Sequence, residues 1–109
     1  MPVAAGKLRH RVTLQEQQTT KSPYGETVTE YVPADEVWAD VNPLSMREHI
    51  ASQALQAPIT HRITIRFRPD ITAEWRIAFR GKVYGIHSIL PDADSGLGHL
   101  TIEASEVAP

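Results

Sequence analysis

The chain has 109 residues, no cysteine and a formal net charge of −2. That length fits one domain with a modest core, and the lack of cysteine excludes disulfides, thiolate metal sites and cysteine nucleophiles. No apolar run reaches the roughly 18 residues of a membrane span and residues 1–7 lack a signal-peptide core, so the expected setting is a cytoplasm.

Residues 1–8 are small and polar and read as a flexible N-terminal arm. Arg9 to Glu16 alternates, with His10, Val12 and Leu14 on one face, and predicts a first strand. Gln17 to Glu26 is polar and carries the turn signal Ser22-Pro23-Tyr24-Gly25, so it reads as a loop. Thr27 to Val32 is rich in β-branched and aromatic residues and predicts a second strand. Pro33-Ala34-Asp35 interrupts it. Glu36 to Val41 follows, either as a third strand or as a bent continuation of the second.

Residues 42–58 are the one convincing helical insertion. Ser45 sits three residues before Glu48, the spacing of a capping box. Met46, Ile50, Ala54 and Leu55 then share a face at helical spacing, and Pro43 and Pro58 bracket the segment. Such a lone helix is either filler for a core or a projecting working part.

The clearest strand comes next. Ile59, His61, Ile63, Ile65 and Phe67 point one way, and Thr60, Arg62, Thr64, Arg66 and Arg68 the other. Pro69-Asp70 turns the chain into a face of Trp75, Ile77 and Phe79, with Arg76 and Arg80 opposite. Gly81-Lys82 is placed for a tight hairpin to Val83–Leu90. Pro91 to Gly96 reads as a loop and His99 to Ala104 as the last strand. Five to seven short strands with regular turn signals predict a mainly β fold, a small antiparallel barrel or sandwich.

The residues that could carry chemistry do not assemble into a site. The five histidines (His10, His49, His61, His87 and His99) lack the HxxxH or HxH spacing of metal ligands. Asp92-Ala93-Asp94-Ser95-Gly96 opens like a calcium loop but lacks its later acidic ligands, and a turn explains it. The serines lack a nucleophile elbow, and Gly96-Leu97-Gly98 lacks the remainder of a phosphate loop. The expectation is no enzyme, no cofactor and no metal. The charge is uneven: residues 59–82 hold six basic and two acidic groups, for +4, whereas residues 83–109 hold four acidic groups and no basic one, for −4. Arg62, Arg66 and Arg68, with Arg76 and Arg80, could follow phosphates or meet an acidic partner. A nucleic-acid module of the OB kind would interleave exposed aromatics. Here Phe67, Trp75 and Phe79 lie on the apolar face, which favours an inter-subunit or lumen-facing role.

The order of the pieces is more specific than any single motif. It runs Gly6-Lys7-Leu8-Arg9-His10-Arg11-Val12-Thr13-Leu14-Gln15, Tyr24-Gly25-Glu26, Val37-Trp38-Ala39-Asp40-Val41, and Pro43-Leu44-Ser45 with Glu48. Gln53-Ala54-Leu55-Gln56-Ala57-Pro58, Thr60 to Arg66 and Arg80 to Ile86 complete it. Over residues 6–104 this resembles the head–tail joining family of long-tailed phages and prophages, the head-completion or stopper proteins. The resemblance implies a single domain over residues 1–109, built as a small antiparallel β-barrel with one inserted helix or long loop. It further implies a non-catalytic ring component of the virion, usually of twelve subunits, often monomeric when free and assembled in the host cytoplasm. Such a ring docks below the portal and adaptor, closes the DNA-filled head, contacts packaged DNA in passing and offers the tail or tail terminator a docking surface. A membrane partner is not implied. On this chain the insertion of that family falls at residues 42–58. The candidate interface positions are Met46, Glu48, His49, Ile50, Gln53 and Leu55, with Arg62, Arg66 and Arg68 as the basic ladder. The polar loop around Gln17–Glu26 and the tails come next.

Overall fold

The computed structural model describes residues 8–52, 59–92 and 95–107. Six antiparallel strands and one helix follow in the order β1 (His10–Lys21), β2 (Thr27–Pro43), α1 (Met46–Ser52), β3 (His61–Arg66), β4 (Arg76–Phe79), β5 (Lys82–Pro91) and β6 (His99–Val107). The strands close into a barrel in the order β1-β2-β3-β6-β5-β4. The period-two faces of the sequence point inward. Val12, Leu14, Ile63, Ile65, Ile77 and Ile102 are fully buried, with Ala39, Tyr84 and Trp75 in the same cluster. Leu8, assigned by sequence to a flexible arm, is also buried. The rest of that expected arm, residues 1–7, lies outside the described residues.

Two departures from the sequence reading change the shape. The stretch Gln17–Lys21, expected in a loop, continues β1, and only Ser22–Glu26 turns. Second, Pro33-Ala34-Asp35 interrupts but does not end β2, so of the two readings of residues 36–41 the bent continuation holds and the separate third strand does not. Leu14 pairs with Asp35 and Gln15 with Pro33, so Ala34 is bulged out between them. A bulge absorbs the residue that cannot donate to the ladder and lets one strand run through it. The resulting 17-residue β2 pairs with β3 only from Ala39 to Pro43, while β1 meets β4 only from Thr13 to Gln15. Beyond those contacts β1 and β2 pair solely with each other. They form a two-stranded ribbon, and the molecule measures 50 × 29 × 26 Å.

The β4–β5 hairpin turns at Arg80-Gly81 rather than Gly81-Lys82, since Phe79 pairs with Lys82. Both turn residues have positive φ, 51° and 78°, as a type I′ turn requires. In β5 the register slips between Ile86 and Ser88, which brings Ile86 and Ile89 both against the core.

The β5–β6 connection is organised by Asp92. Its buried carboxylate accepts hydrogen bonds from the backbone N–H groups of Ser95 (2.8 Å), Gly96 (3.2 Å), Gly98 (2.5 Å) and His99 (3.3 Å). These donors, led by Ser95 and Gly98, hold the carboxyl far below the usual carboxylate range. Among the described residues no group of three or more acidic or histidine side chains is placed to hold a metal ion.

Two substitutions check this account. Leu14→Ala, at a fully buried position, should cost about 2–5 kcal/mol in urea unfolding. Asp92→Ala should lower the melting temperature more than alanine at exposed Glu74, because it leaves four loop N–H groups without their acceptor.

Candidate assembly interface

Helix α1 starts as its sequence requires. The Ser45 hydroxyl accepts from the Glu48 N–H at 3.2 Å, and Glu48 Oε1 accepts from the Ser45 N–H at 3.4 Å and its hydroxyl at 3.1 Å. The second oxygen of Glu48 takes Arg62 Nη2 at 2.8 Å, so one carboxylate both caps the helix and ties it to β3. Arg62 and then Ser45 hold the Glu48 carboxyl below its ordinary value. On the next residue, His49 Nδ1 lies 3.2 Å from the Ile59 carbonyl. The Leu44 N–H donates to the Thr60 carbonyl at 3.0 Å.

These tethers are polar, and they turn the apolar side of α1 away from the barrel. Met46 is 74% exposed and Ile50 59% exposed. Of the positions singled out in sequence, Glu48 and Arg62 pair between the helix and β3, His49 reaches the Ile59 carbonyl, and Met46 and Ile50 are exposed. Gln53 and Leu55 lie outside the described residues. Between the helix and the barrel wall runs a groove of about 570 Å³ bordered by Leu44, Ile59, Leu90 and Glu103.

The basic ladder does not form one surface. Arg68 clasps Asp70 through Nε (2.6 Å) and Nη2 (2.8 Å) and reaches Asp35 through Nη1 (3.0 Å), with its guanidinium 5.7 Å from the Trp75 ring centroid. The Asp70 carboxylate, helped by Asp35, raises the Arg68 pKa, and the Arg68 guanidinium in turn lowers that of Asp70. Arg68 thus braces the β3–β4 connection against the bulge in β2. Arg76 lies 3.9 Å from the Tyr31 ring centroid and anchors the base of the ribbon. Exposed Arg66 has no carboxylate within ion-pair distance among the described residues.

Sequence reasoning missed one exposed aromatic. Trp38 is 52% exposed, between inward-facing Val37 and Ala39, and its ring lies under the Arg11 guanidinium at 5.2 Å. The alternation Val37-Trp38-Ala39-Asp40-Val41 carried the signal, since three small apolar residues on one face put Trp38 on the other. Trp38 lines a second groove, of about 620 Å³, between β2 and the β3–β4 connection.

The sequence profile of the phage head completion proteins matches residues 3–107. The chain belongs to the phage head completion protein family. Head completion protein gp7 of Enterobacteria phage HK97 is 30% identical over 86 residues, which cover 74% of this chain and 77% of that protein. A solution structure of a protein from Shigella flexneri 2a superposes with a TM-score of 0.80 at 37% identity, covering 97% of this chain and 98% of the other. A chain from the virion of a native gene transfer agent particle shares the fold, with a TM-score of 0.67 at 20% identity over 94% of this chain and 97% of its own. The head completion protein described here is therefore a structural protein of the phage head and a component of the virion.

Acid should release its parts in order. Glu48 and Asp92 both have depressed folded pKa values, so each stabilises the fold above the unfolded carboxylate range of about 4 and loses that contribution as the pH falls through its folded value. Asp92 is the more strongly depressed. Amide exchange should therefore rise in α1 at a higher pH than in the loop Ser95–His99. The reverse order would contradict the hydrogen-bond assignment.

Proposed function

We propose that this head completion protein acts as a ring-forming stopper, docking below the portal and adaptor, closing the filled head and presenting a surface to the tail or tail terminator. The observation that carries this reading is the orientation of α1. A helix serving as core filler would turn Met46 and Ile50 inward, whereas these side chains are solvent-exposed and the contacts holding the helix are polar. Exposed apolar residues on a tethered projection suit a surface completed by other virion proteins. The ring, usually of twelve copies, is what the family resemblance implies. The free chain is a monomer awaiting the adaptor in the host cytoplasm, and packaged DNA is met in passing along the channel. The role is structural and requires no catalysis.

The rival reading, a nucleic-acid-binding barrel, finds little support. Phe67 and Trp75 pack on or within the core, and Arg62 and Arg68 are held by carboxylates of the same chain. Exposed Trp38 stands beside Arg66, but with Arg62 and Arg68 paired the ladder offers no continuous cationic track.

Replacing Met46 and Ile50 together with Asp should change unfolding stability by no more than about 0.5 kcal/mol per site, the usual range at exposed positions. The same variant should add no density to purified portal–adaptor rings. If it unfolds, the helix belongs to the core. If it still joins the rings, the docking surface lies elsewhere.

A further inference from the structure

The tip of the β1–β2 ribbon and the Trp38 groove lie about ten residues apart along β2. We propose that the ribbon tip, led by Tyr24, seats in the groove of a second copy of this chain, which deepens the ring reading above and rests on it. The tip is a built structure. The Ser22 hydroxyl accepts from the N–H groups of Tyr24 (3.3 Å) and Glu26 (3.2 Å), its carbonyl accepts from the Gly25 N–H at 2.9 Å, and Gly25 takes the positive φ of 84° that the turn needs. This presents the Tyr24 ring 92% exposed, held out by a turn rather than packed on the barrel.

The groove offers what such a ring requires. Val37, Trp38, Phe67 and Pro69 give it apolar walls, and its volume of about 620 Å³ has room for an aromatic side chain and its neighbours. The charges also match. Within residues 16–30 the ribbon carries Glu16, Glu26 and Glu30 against Lys21 alone. The β1–β2 register puts Glu16, Gln18, Val28, Glu30 and Val32 on one ribbon face, opposite the face where Arg76 covers Tyr31. The groove also holds Asp35 and Asp70, both engaged by Arg68, which leaves Arg66 at the rim as its one cation without a carboxylate among the described residues.

Reach decides between self and neighbour. Ten residues of β2 separate Thr27 at the tip from Val37 in the groove, about 33 Å of extended strand. The tip thus cannot fold back into its own groove. That span is close to one width of the molecule, whose shorter axes are 29 and 26 Å, so a copy docked on the tip stands directly alongside. Tip and groove are different surfaces, so the contact is head-to-tail and repeats from copy to copy, giving a ring where the rotation closes and a filament where it does not.

Because the chain has no cysteine, disulfide trapping tests this directly. The double variant Tyr24→Cys/Pro69→Cys, in the full chain at high concentration under slow oxidation, should give a ladder of dimers, trimers and longer species on a denaturing gel. Each single variant should stop at dimers. A bridge needs Cα atoms within about 7 Å, which the two sites in one copy cannot reach. Adding Arg66→Glu should cut the ladder yield several-fold, and Glu30→Lys should restore it. If Pro69→Cys melts early, Trp38→Cys replaces it. A double variant that gives nothing longer than the single variants overturns the proposal. Should the unmodified chain form rings under the electron microscope all the same, the ring reading survives that failure. A ladder without closed rings supports the contact and removes the ring.

Discussion

Closure of the barrel is the constraint on which everything else depends. Six strands pair in a circle, and the inward residues of β1, β3, β4 and β6, with Tyr84 from β5, fill the interior to full burial. A small barrel of this kind is a packed core, not a cavity. Outside the ladder, Leu8, Ile59, Ile71 and Trp75 are buried as well, and the interior is full. Helix α1 and the far half of the β1–β2 hairpin are both excluded from the core by this closure, and both become projections.

The two projections are fixed by polar devices, not apolar burial. Glu48 joins the helix to Arg62, His49 meets the Ile59 carbonyl, Arg76 covers Tyr31, and Arg68 bridges Asp35 and Asp70. Exposed ion pairs contribute modestly, typically under about 1 kcal/mol. Their value here is directional, since they aim α1 and the ribbon while leaving Met46, Ile50 and Tyr24 uncovered. A head protein that must meet several neighbours is served by such an arrangement. The barrel supplies stability, and the projections stay cheap to move.

Much of the fold was legible because burial imposes a period. The alternation read from Ile59 to Phe67 holds the inside–outside pattern of β3 at His61–Arg66, and the Ser45–Glu48 spacing is the cap that α1 forms. Where burial is absent the pattern fades. Gln17 to Lys21 is a paired strand with no core beneath it, so its polar sequence resembled a loop, whereas Thr27 to Val32 kept a strand signal through its β-branched and aromatic residues. Pro33 looked like a break because a bulge opposite Leu14 and Gln15 cannot be seen without the partner strand. The ion pairing of the arginines was hidden for a related reason. Asp35, which binds Arg68, lies 33 residues earlier in the chain, and only the closed barrel brings them together. Trp38 was readable from its neighbours, since Val37, Ala39 and Val41 occupy the inward face.

The central claim is that α1 and the ribbon tip are surfaces completed by assembly and not by folding. Hydrogen exchange on the free chain and on the same chain in assembled heads measures this most directly. The account predicts that amides of residues 46–52 and 22–26 are weakly protected when free and strongly protected when assembled, while β3 and β6 are unchanged. Equal protection of those two segments in both states would contradict it.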